Sequence, residues 1–214
     1  MLLKKETYSS QVAQIIRQMI RDGQLRQGDP VKEPQLAARL SISRAPIREA
    51  LQELTYEGLV TSEPQKGKRV RLLTDKDILD SYDVGAILEA AGVADSLGDW
   101  SEDDMQRLRA VVDDMRDAGR TATDLSAMMQ LDDRFHATLL QRCENVRLTE
   151  MARLSCVTIS KVLCYKKWLT LFSPPGFAER HAAIAEAVCA RDAARVEAML
   201  RHHYREIGER IASR

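Results

Sequence analysis

Residues 43–60 of the chain are SRAPIREALQELTYEGLV, and this stretch has the pattern of a short amphipathic helix. Ser43 is a favourable N-cap, and Gly58 stands where a helix can end in a left-handed residue. Between them, the apolar residues that recur at helical spacing are Ile47, Leu51 and Leu54. The stretch therefore predicts a helix that buries one face and begins directly after Ser43.

Two arginines occupy the first turns of this helix, away from its apolar stripe. Arg44 and Arg48 are four residues apart, so they lie on neighbouring positions of the helix surface. Cations oppose the helix dipole at an N-terminus, where a purely structural helix gains more from acidic residues. Their placement favours an external anion. In a recognition helix, such N-terminal arginines meet base edges and can bind guanine through two hydrogen bonds.

The residues before this stretch complete a helix-turn-helix. Helical spacing predicts a first helix over 8–22, followed by Gly23, and a short second helix over 33–40 with Pro34 in its first turn. Only residues 41–43 separate the second helix from the quoted one. Two short helices joined so closely are typical of a helix-turn-helix.

The residues after the quoted stretch predict a small β wing. Residues 59–61 and 68–72 alternate as short strands around the turn-rich segment 63–67. We expect Lys66 and Lys68 at this tip to contact DNA phosphates. The first 74 residues hold 13 Lys and Arg against 8 Asp and Glu, whereas the rest hold 19 against 24. This asymmetry indicates a nucleic-acid-binding domain joined to a different one.

The first part of the chain resembles the winged-helix domain of the GntR family of bacterial transcription factors. The matching features are the Leu-x-x-Gly turn, Leu36-Ala37, the motif SRAPIREAL and the run EGLV, in this order over residues 8–72. The resemblance implies a dimer that binds palindromic double-stranded operator DNA through Arg44 and Arg48. It places Ser43 and the wing around Gly67 at the DNA backbone or minor groove, and the predicted contact set is completed by Lys32, Ala45, Pro46, Lys66 and Lys68.

Two positions of the second helix depart from the family pattern. Lys32 replaces the usual small cap, and Pro34 replaces a basic residue that often touches DNA. Lys32 can compensate for that lost contact. With one usual contact missing, we expect Arg44 and Arg48 to carry an unusually large share of operator discrimination.

Beyond a polar hinge at 73–77, the sequence predicts only helices. Their expected ranges are 77–97, 102–118, 124–142, 145–171, 177–190 and 193–213, the fourth being long enough to be kinked or divided. The predicted fold is therefore mostly α. A winged helix-turn-helix occupies residues 1–74, and an antiparallel bundle of six or seven helices occupies residues 75–214.

Three of the four histidines point toward the predicted core of the bundle. His136 follows Asp132 by four residues on one helical face, and His181 and His203 share faces with apolar residues. A single inward histidine is usually a core imidazole bonded to a neighbour. Three of them beside an inward aspartate need a common explanation, because each unpartnered buried polar group costs about 1–3 kcal/mol. A divalent metal supplies one, and these ligands suit Zn, Ni, Mn or Fe.

The second part of the chain resembles the FCD effector-binding domain of the FadR-type subfamily of GntR regulators. The matching features are DDRFH at 132–136, Asn145, ERHAAI at 179–184, Ala187, Arg191-Asp192 and His203. Metal-binding members use an aspartate and three histidines at these places. The resemblance therefore implies the ligands Asp132, His136, His181 and His203, with a small carboxylate effector completing the coordination.

One departure affects the expected effector site. The family commonly has an arginine four residues before a glutamate in the first helix of this domain, whereas here Gly85 precedes Glu89. Effector recognition would then rest on other groups, for which Arg134 or the polar lining over 161–167 are candidates. Lys166 and Lys167 are equally consistent with plain surface charge.

The function predicted from the sequence is a dimeric, cytoplasmic transcriptional regulator, with repression favoured over activation, and not an enzyme. Its operator binding would respond to a metal-bound organic acid. The alternatives are a direct sensor of the metal ion and, more remotely, a metal-dependent hydrolase, for which the cluster lacks a general base at the spacing of HExxH. The four cysteines form no CxxC pair and are expected to be free thiols, and no segment has a signal peptide or membrane span pattern.

Overall fold

The computed structural model describes residues 7–65 and 67–213, which divide into two compact units. Unit 1 contains the described residues up to Leu73 together with Thr158–Tyr165, and unit 2 contains Thr74–Val157 and the residues from Lys166 onward. Helices account for 73% of the described residues, which also contain one small two-stranded sheet. The predicted class, mostly α with an N-terminal winged helix-turn-helix and a C-terminal helical domain, is confirmed.

Unit 1 has three helices followed by a hairpin. Its elements are α1 (Tyr8–Arg21), α2 (Glu33–Leu40), α3 (Arg44–Tyr56), β1 (Val60–Glu63) and β2 (Gly67–Val70). The strands are antiparallel, with Val60 opposite Val70 and Glu63 opposite Gly67. Gly58 has the predicted left-handed conformation (φ 76°), which turns the chain from α3 into β1 without the strain that a side chain would cause.

The core of unit 1 forms where α1 packs against α3. The apolar stripe of α3 is fully buried, as predicted, together with Ile16 of α1. At the edge of this contact, Arg17 donates to the carboxylates of Glu53 and Glu57 at 2.8 and 2.6 Å. The distant segment 158–165 contributes Val162 to the same core. The unit therefore contains a piece of chain that a division at residue 74 assigns to the second domain.

Unit 2 is built from the remaining helices. They are α4 (Asp75–Ser96), α5 (Glu102–Gly119), α6 (Met129–Leu139), α7 (Val146–Thr158), α8 (Tyr165–Trp168), α9 (Pro174–Cys189) and α10 (Ala193–Ala212), of which α7 and α8 flank the segment that belongs to unit 1. Capping boxes begin α4 at Thr74 and α5 at Ser101. The long helices pair as α4 with α10 and α5 with α9, and α6 packs on α5.

Two predicted helices are interrupted. The expected helix over 124–142 consists of a 3₁₀ turn at Leu125–Met128 and the shorter α6. The long helix over 145–171 is divided into α7, a π-helical turn at Ile159–Leu163, and α8. The β-branched run at 157–159 precedes this turn, and such side chains crowd the preceding turn of an α-helix. The division agrees with one of the two forms that the sequence left open.

Candidate functional site

The arginines of α3 lie on the outside of unit 1. Arg44 is the first residue of the helix and is exposed, and the side chain of Arg48 one turn later is 62% exposed. Ile47, between them in the sequence, is completely buried. The helix is thus fixed by one face and presents both guanidinium groups to solvent on another, which is the arrangement that a base-reading helix requires.

The beginning of α3 has no side-chain cap. Ser43 occupies the N-cap position with extended backbone, but its hydroxyl makes no capping hydrogen bond, so the prediction is correct in position and wrong in contact. Ala45 is exposed and Pro46 is half-buried beside it. The first amides of this helix and the Ser43 hydroxyl therefore stand at the same exposed end as Arg44, where a phosphate group can be bound.

The other predicted DNA contacts lie at the beginning of α2 and in the wing. Lys32 is exposed at the N-cap of α2, and its side chain makes no capping bond. In the wing, Gly67 is exposed with φ 77° and Lys68 is half-buried, whereas Lys66 lies outside the described residues. Glu33 of α2 approaches Arg48, with 3.7 Å between a carboxylate oxygen and Nε. This weak ion pair biases the direction of the Arg48 side chain without removing it from solvent.

In unit 2, helices α6, α9 and α10 bring three histidines together. Each of His136, His181 and His203 offers a ring nitrogen, and these atoms lie within 4.8 Å of one another. Asp132 joins them, because its Oδ1 is 3.0 Å from Nε2 of His181 and 3.5 Å from Nε2 of His136. All four predicted metal ligands therefore meet at one place, which is buried except for part of His136.

Two of the imidazoles are oriented by partners on their outer side. Nδ1–H of His136 donates to Glu89, whose two carboxylate oxygens are both at 2.9 Å, and Nδ1–H of His181 donates to the carbonyl of Phe177 at 2.7 Å. Both Nε2 atoms are thereby directed toward Asp132. Burial by itself lowers the pKa of His136, but the charges of Glu89 and Asp132 raise it to about 10.

His203 is the exception in this cluster. It is 3% exposed, and neither ring nitrogen has a hydrogen-bond partner among the described residues. Burial lowers its pKa well below 6.5, and the positive charges of His181, His136 and Arg180 act in the same direction. A neutral imidazole with an unshared buried lone pair is the ligand form that a divalent metal needs. The donor set thus fits such an ion: three imidazoles and one carboxylate, with the outer hydrogen bonds of His136 and His181 already made.

Glu89 is a part of the site that the sequence did not assign. It is 1% exposed on α4 and holds His136. The sequence pattern of α4 could have indicated this role. A glutamate on the helix face that also carries the buried Tyr82, Ala86 and Val93 needs a buried partner. Gly85, four residues before Glu89, has no room for a side chain, because a Cβ there would stand 2.8 Å from Sγ of Cys156.

The other candidates for effector binding lie elsewhere. Arg134 is exposed and pairs with Asp114 at the surface of unit 2. Lys161 is buried within the segment that belongs to unit 1. Lys166 and Lys167 are exposed, and the ammonium group of Lys167 donates to the carbonyl of Ile211 at 2.8 Å.

Comparison with known proteins identifies the family. Residues 8–70 match the family described as bacterial regulatory proteins, gntR family, and residues 80–206 match the FCD domain. The chain belongs to the GntR family of transcriptional regulators and carries an FCD domain. The GntR regulator is 30% identical over 190 residues to the Nta operon transcriptional regulator of Aminobacter aminovorans, which covers 87% of this chain and 88% of that protein.

Further relatives agree with this assignment. The "Probable D-xylose utilization operon transcriptional repressor" of Paenarthrobacter nicotinovorans is 29% identical over 202 residues, covering 94% of this chain and 87% of that protein. Among solved structures, a GntR regulator from Rhodococcus sp. RHA1 matches with a TM-score of 0.70, 25% identity and coverage of 96% and 99%. E. coli McbR/YncC has the same fold, with a TM-score of 0.73, 17% identity and coverage of 95% and 96%.

The family assignment tests two predictions about the kind of protein, namely that it regulates transcription and that it is not an enzyme. These relatives are transcriptional regulators, which confirms DNA-dependent regulation and the expectation that this GntR regulator is not an enzyme. The hydrolase alternative is therefore dropped. Among the described residues, no helix is long and apolar enough to cross a membrane.

Proposed function

We propose that this GntR regulator is a repressor that binds operator DNA as a homodimer in the cytoplasm and releases or tightens it in response to an organic acid bound through a divalent metal. The observation that carries the proposal is the convergence of His136, His181, His203 and Asp132, which brings three ring nitrogens and a carboxylate oxygen close together. FCD domains often bind metal. Three of the relatives are named as repressors, one of them as a probable repressor, which favours repression here.

The DNA-binding part of the proposal rests on exposure and charge. Arg44 and Arg48 would read base edges in the major groove, and the end of α3 at Ser43 would bind a phosphate. Lys32 and the wing around Lys68 would add phosphate contacts that carry no sequence information. The weak pair between Arg48 and Glu33 would give way to the stronger, two-bond contact with guanine.

The homodimer is supported by an unpartnered apolar stripe on α4. On this helix, Val84 is 45% exposed and Ile87 is 48% exposed. Leu79, which precedes both in α4, is 38% exposed. Large apolar side chains grouped on one helix face are typical of protein interfaces rather than of a solvated surface. A second copy of the chain would cover the same stripe by two-fold symmetry, as palindromic operators require.

In the metal site, Nε2 of His136 and of His181 would bind the ion together with His203 and a carboxylate oxygen of Asp132. The ion would supply positive charge and open coordination positions for an anionic effector. Glu89 and the carbonyl of Phe177 would keep the two imidazoles in the required tautomer. Because the ligands come from three helices, an ion and its effector can favour one arrangement of those helices over another.

Operator binding measured with and without metal and acid tests the proposal. An operator is first selected from random double-stranded DNA, and anisotropy titrations follow with protein stripped by a chelator, reloaded with Zn, Ni, Mn or Fe, and then given citrate as the probe. We expect selective binding by a dimer and a change of at least about tenfold on adding citrate, equal to about 1.4 kcal/mol of coupling. Equal affinity for random and selected DNA, weakened only by salt, would contradict it.

A direct metal sensor is the second candidate, and the packing at Gly85 favours it. Cys156 and Tyr204 fill the space beside this residue, with Cε1 of Tyr204 3.0 Å from the position of a Cβ. No longer side chain fits there to grip a second ligand. In this case, metal alone should change operator affinity, and citrate should add nothing beyond removing the ion from the protein.

A further inference from the structure

Two side chains at the histidine cluster have buried nitrogen atoms without a partner. Among the described residues, both ring nitrogens of His203 and Nε of Arg180 are buried without a hydrogen-bond partner, as is Nε1 of Trp100 in the segment between α4 and α5. Arg180 is close enough to His203 for its charge to lower the pKa of that imidazole. A buried donor or acceptor left in this state costs about 1–3 kcal/mol, and a charged one costs more. Two such groups side by side indicate a shared binding partner rather than two separate defects.

Arg180 is held at the cluster from several sides. It precedes His181 on α9, and Nη1 donates to Glu206, which stands three residues after His203 on α10. The guanidinium carbon lies 4.3 Å from the ring centroid of Phe172. These contacts fix the plane of the guanidinium group, so its Nε–H has a defined direction instead of the freedom of a surface arginine.

The chemistry of the two unpartnered groups is complementary. A ring nitrogen of neutral His203 has a lone pair to give, which a metal ion accepts. Nε–H of Arg180 has a proton to give, which an oxygen of an anion accepts most strongly. Hydrogen bonding between the two residues themselves does not occur. A metal ion with a bound oxyanion satisfies both at once.

The charges around the site leave room for such an anion. The two charges of a divalent ion are matched by the buried carboxylates of Asp132 and Glu89. Glu206 is shared by Arg180 and the exposed Arg210, so its single charge only partly offsets the half-buried Arg180. An anionic ligand completes this compensation, whereas a neutral ligand does not.

We propose that Arg180 is the residue that selects the effector, by binding one oxygen of an oxyanion whose other oxygen coordinates the metal held by the histidines. This inference rests on the proposed metal site and deepens it. The ligand class is a small oxyanion with at least two donor oxygens, which carboxylates and phosphate share. Arg180 thereby takes the part that no side chain can take at Gly85.

Arg210 provides a matched control. Its guanidinium carbon lies 4.5 Å from the same Phe172 ring, and it pairs with the same Glu206 carboxylate, but it is an exposed residue whose Nε has that carboxylate as a partner. Arg210→Met therefore removes an equal charge and an equal stacking contact without touching the unpartnered donor. Arg180→Lys keeps the charge of Arg180 and removes its Nε–H.

Calorimetric titration of the metal-loaded full chain tests the inference, with acetate, malonate, citrate and inorganic phosphate as probes. We expect the wild type to bind malonate or citrate more tightly than acetate. Comparing these acids with phosphate shows whether the site prefers carboxylates or phosphate. Arg180→Met should weaken the best probe about 10–100-fold, as loss of a charged hydrogen bond does, and Arg180→Lys should weaken it less. Arg210→Met should stay within about threefold of the wild type. Metal content by elemental analysis should be unchanged in all variants, and each should still unfold cooperatively.

Three results would overturn the inference. The first is that Arg180→Met binds every probe as the wild type does. The second is that Arg210→Met loses as much affinity, and the third is that the metal-loaded wild type binds none of the four anions. In each of these cases, metal retention shows that the proposed metal site survives. If instead the wild type retains no divalent metal, the proposed function fails, and the inference fails with it.

Discussion

The two sites of this regulator contrast in how their polar groups are satisfied. On α3, Arg44 and Arg48 stand in water, and their exposure costs little before DNA arrives. In unit 2, His181 and His203 are buried, and His203 lacks any hydrogen bond within the described chain. The two exposed arginines are solvated, so their free energy depends little on the packing of the protein around them. The second site leaves buried ring nitrogens unsatisfied, which lowers stability, so the metal binding that we propose there would stabilise unit 2.

The largest expected effect belongs to the exposed arginines. Arg44→Ala together with Arg48→Ala should cost about 2–6 kcal/mol of discrimination between the selected operator and random DNA, since each two-bond contact with a base contributes about 1–3 kcal/mol. Anisotropy titrations at fixed salt measure this difference. Stability of unit 1 should hardly change, because neither side chain contributes to its core.

Arg39→Ala is the control for these variants. It removes an exposed arginine of the same unit that bonds to Gln24 and is not at the end of α3. If it weakens operator discrimination as much as the double variant does, general charge and not base reading explains the result.

The buried site should respond in the opposite way. His203→Leu should stabilise the metal-free protein by about 1–3 kcal/mol, because it replaces two unpartnered nitrogen atoms with an apolar side chain. Chemical denaturation in the presence of a chelator measures the gain. The variant should also lose the stabilisation that added metal gives the wild type.

A destabilised metal-free variant would show that the His203 ring makes contacts worth more than its unpartnered nitrogens cost. In that case, the contrast between a surface site with solvated polar groups and a buried site with unsatisfied ring nitrogens would not hold.

The stability of the metal-free protein should fall as pH rises from about 7 to 9. The folded pKa of His136 is about 10, against an ordinary value of 6.5, so its ion pairs with Glu89 and Asp132 contribute fully below pH 6.5 and are lost as pH approaches 10. In this window the native state holds one more proton than the unfolded state, which gives a slope approaching about 1.4 kcal/mol per pH unit.

Denaturation curves at several pH values check this slope, and His136→Gln should flatten it. Metal binding should correspondingly release about one proton near pH 7.5, measurable by calorimetry in buffers of different ionisation enthalpy. A wild-type stability independent of pH over this range would contradict the assignment of a charged His136.

The smallest effect separates two helix caps. Thr74→Ala should lower the stability of unit 2 by about 1 kcal/mol, since the hydroxyl accepts from the amide of Asp77 at 3.1 Å. Ser43→Ala should cost less than about 0.5 kcal/mol, since its hydroxyl makes no capping bond, while operator affinity falls. Equal losses of stability in the two variants would indicate that Ser43 caps α3 in solution.

Local patterns predicted most of the elements correctly. The bounds of α1, α2 and α3 and the left-handed glycines follow from spacing and capping chemistry, which act over a few residues. The interruption of the long helix at Ile159–Leu163 was less predictable, because an α and a π turn differ only in whether each amide bonds the carbonyl four or five residues earlier, and tertiary packing decides between them. Residue Val162 in the core of unit 1 is an example of that packing.

The sequence by itself determined which residues face inward and which face outward: the stripe of α3, its two arginines, and the inward Asp132, His136, His181 and His203. Helical periodicity suffices for this, since it depends on one helix at a time. Only the tertiary structure decided that Glu89 holds His136, that Cys156 and Tyr204 close the space at Gly85, and that Arg180 keeps an unpartnered Nε beside His203. These facts depend on distances between helices, which no single helix encodes.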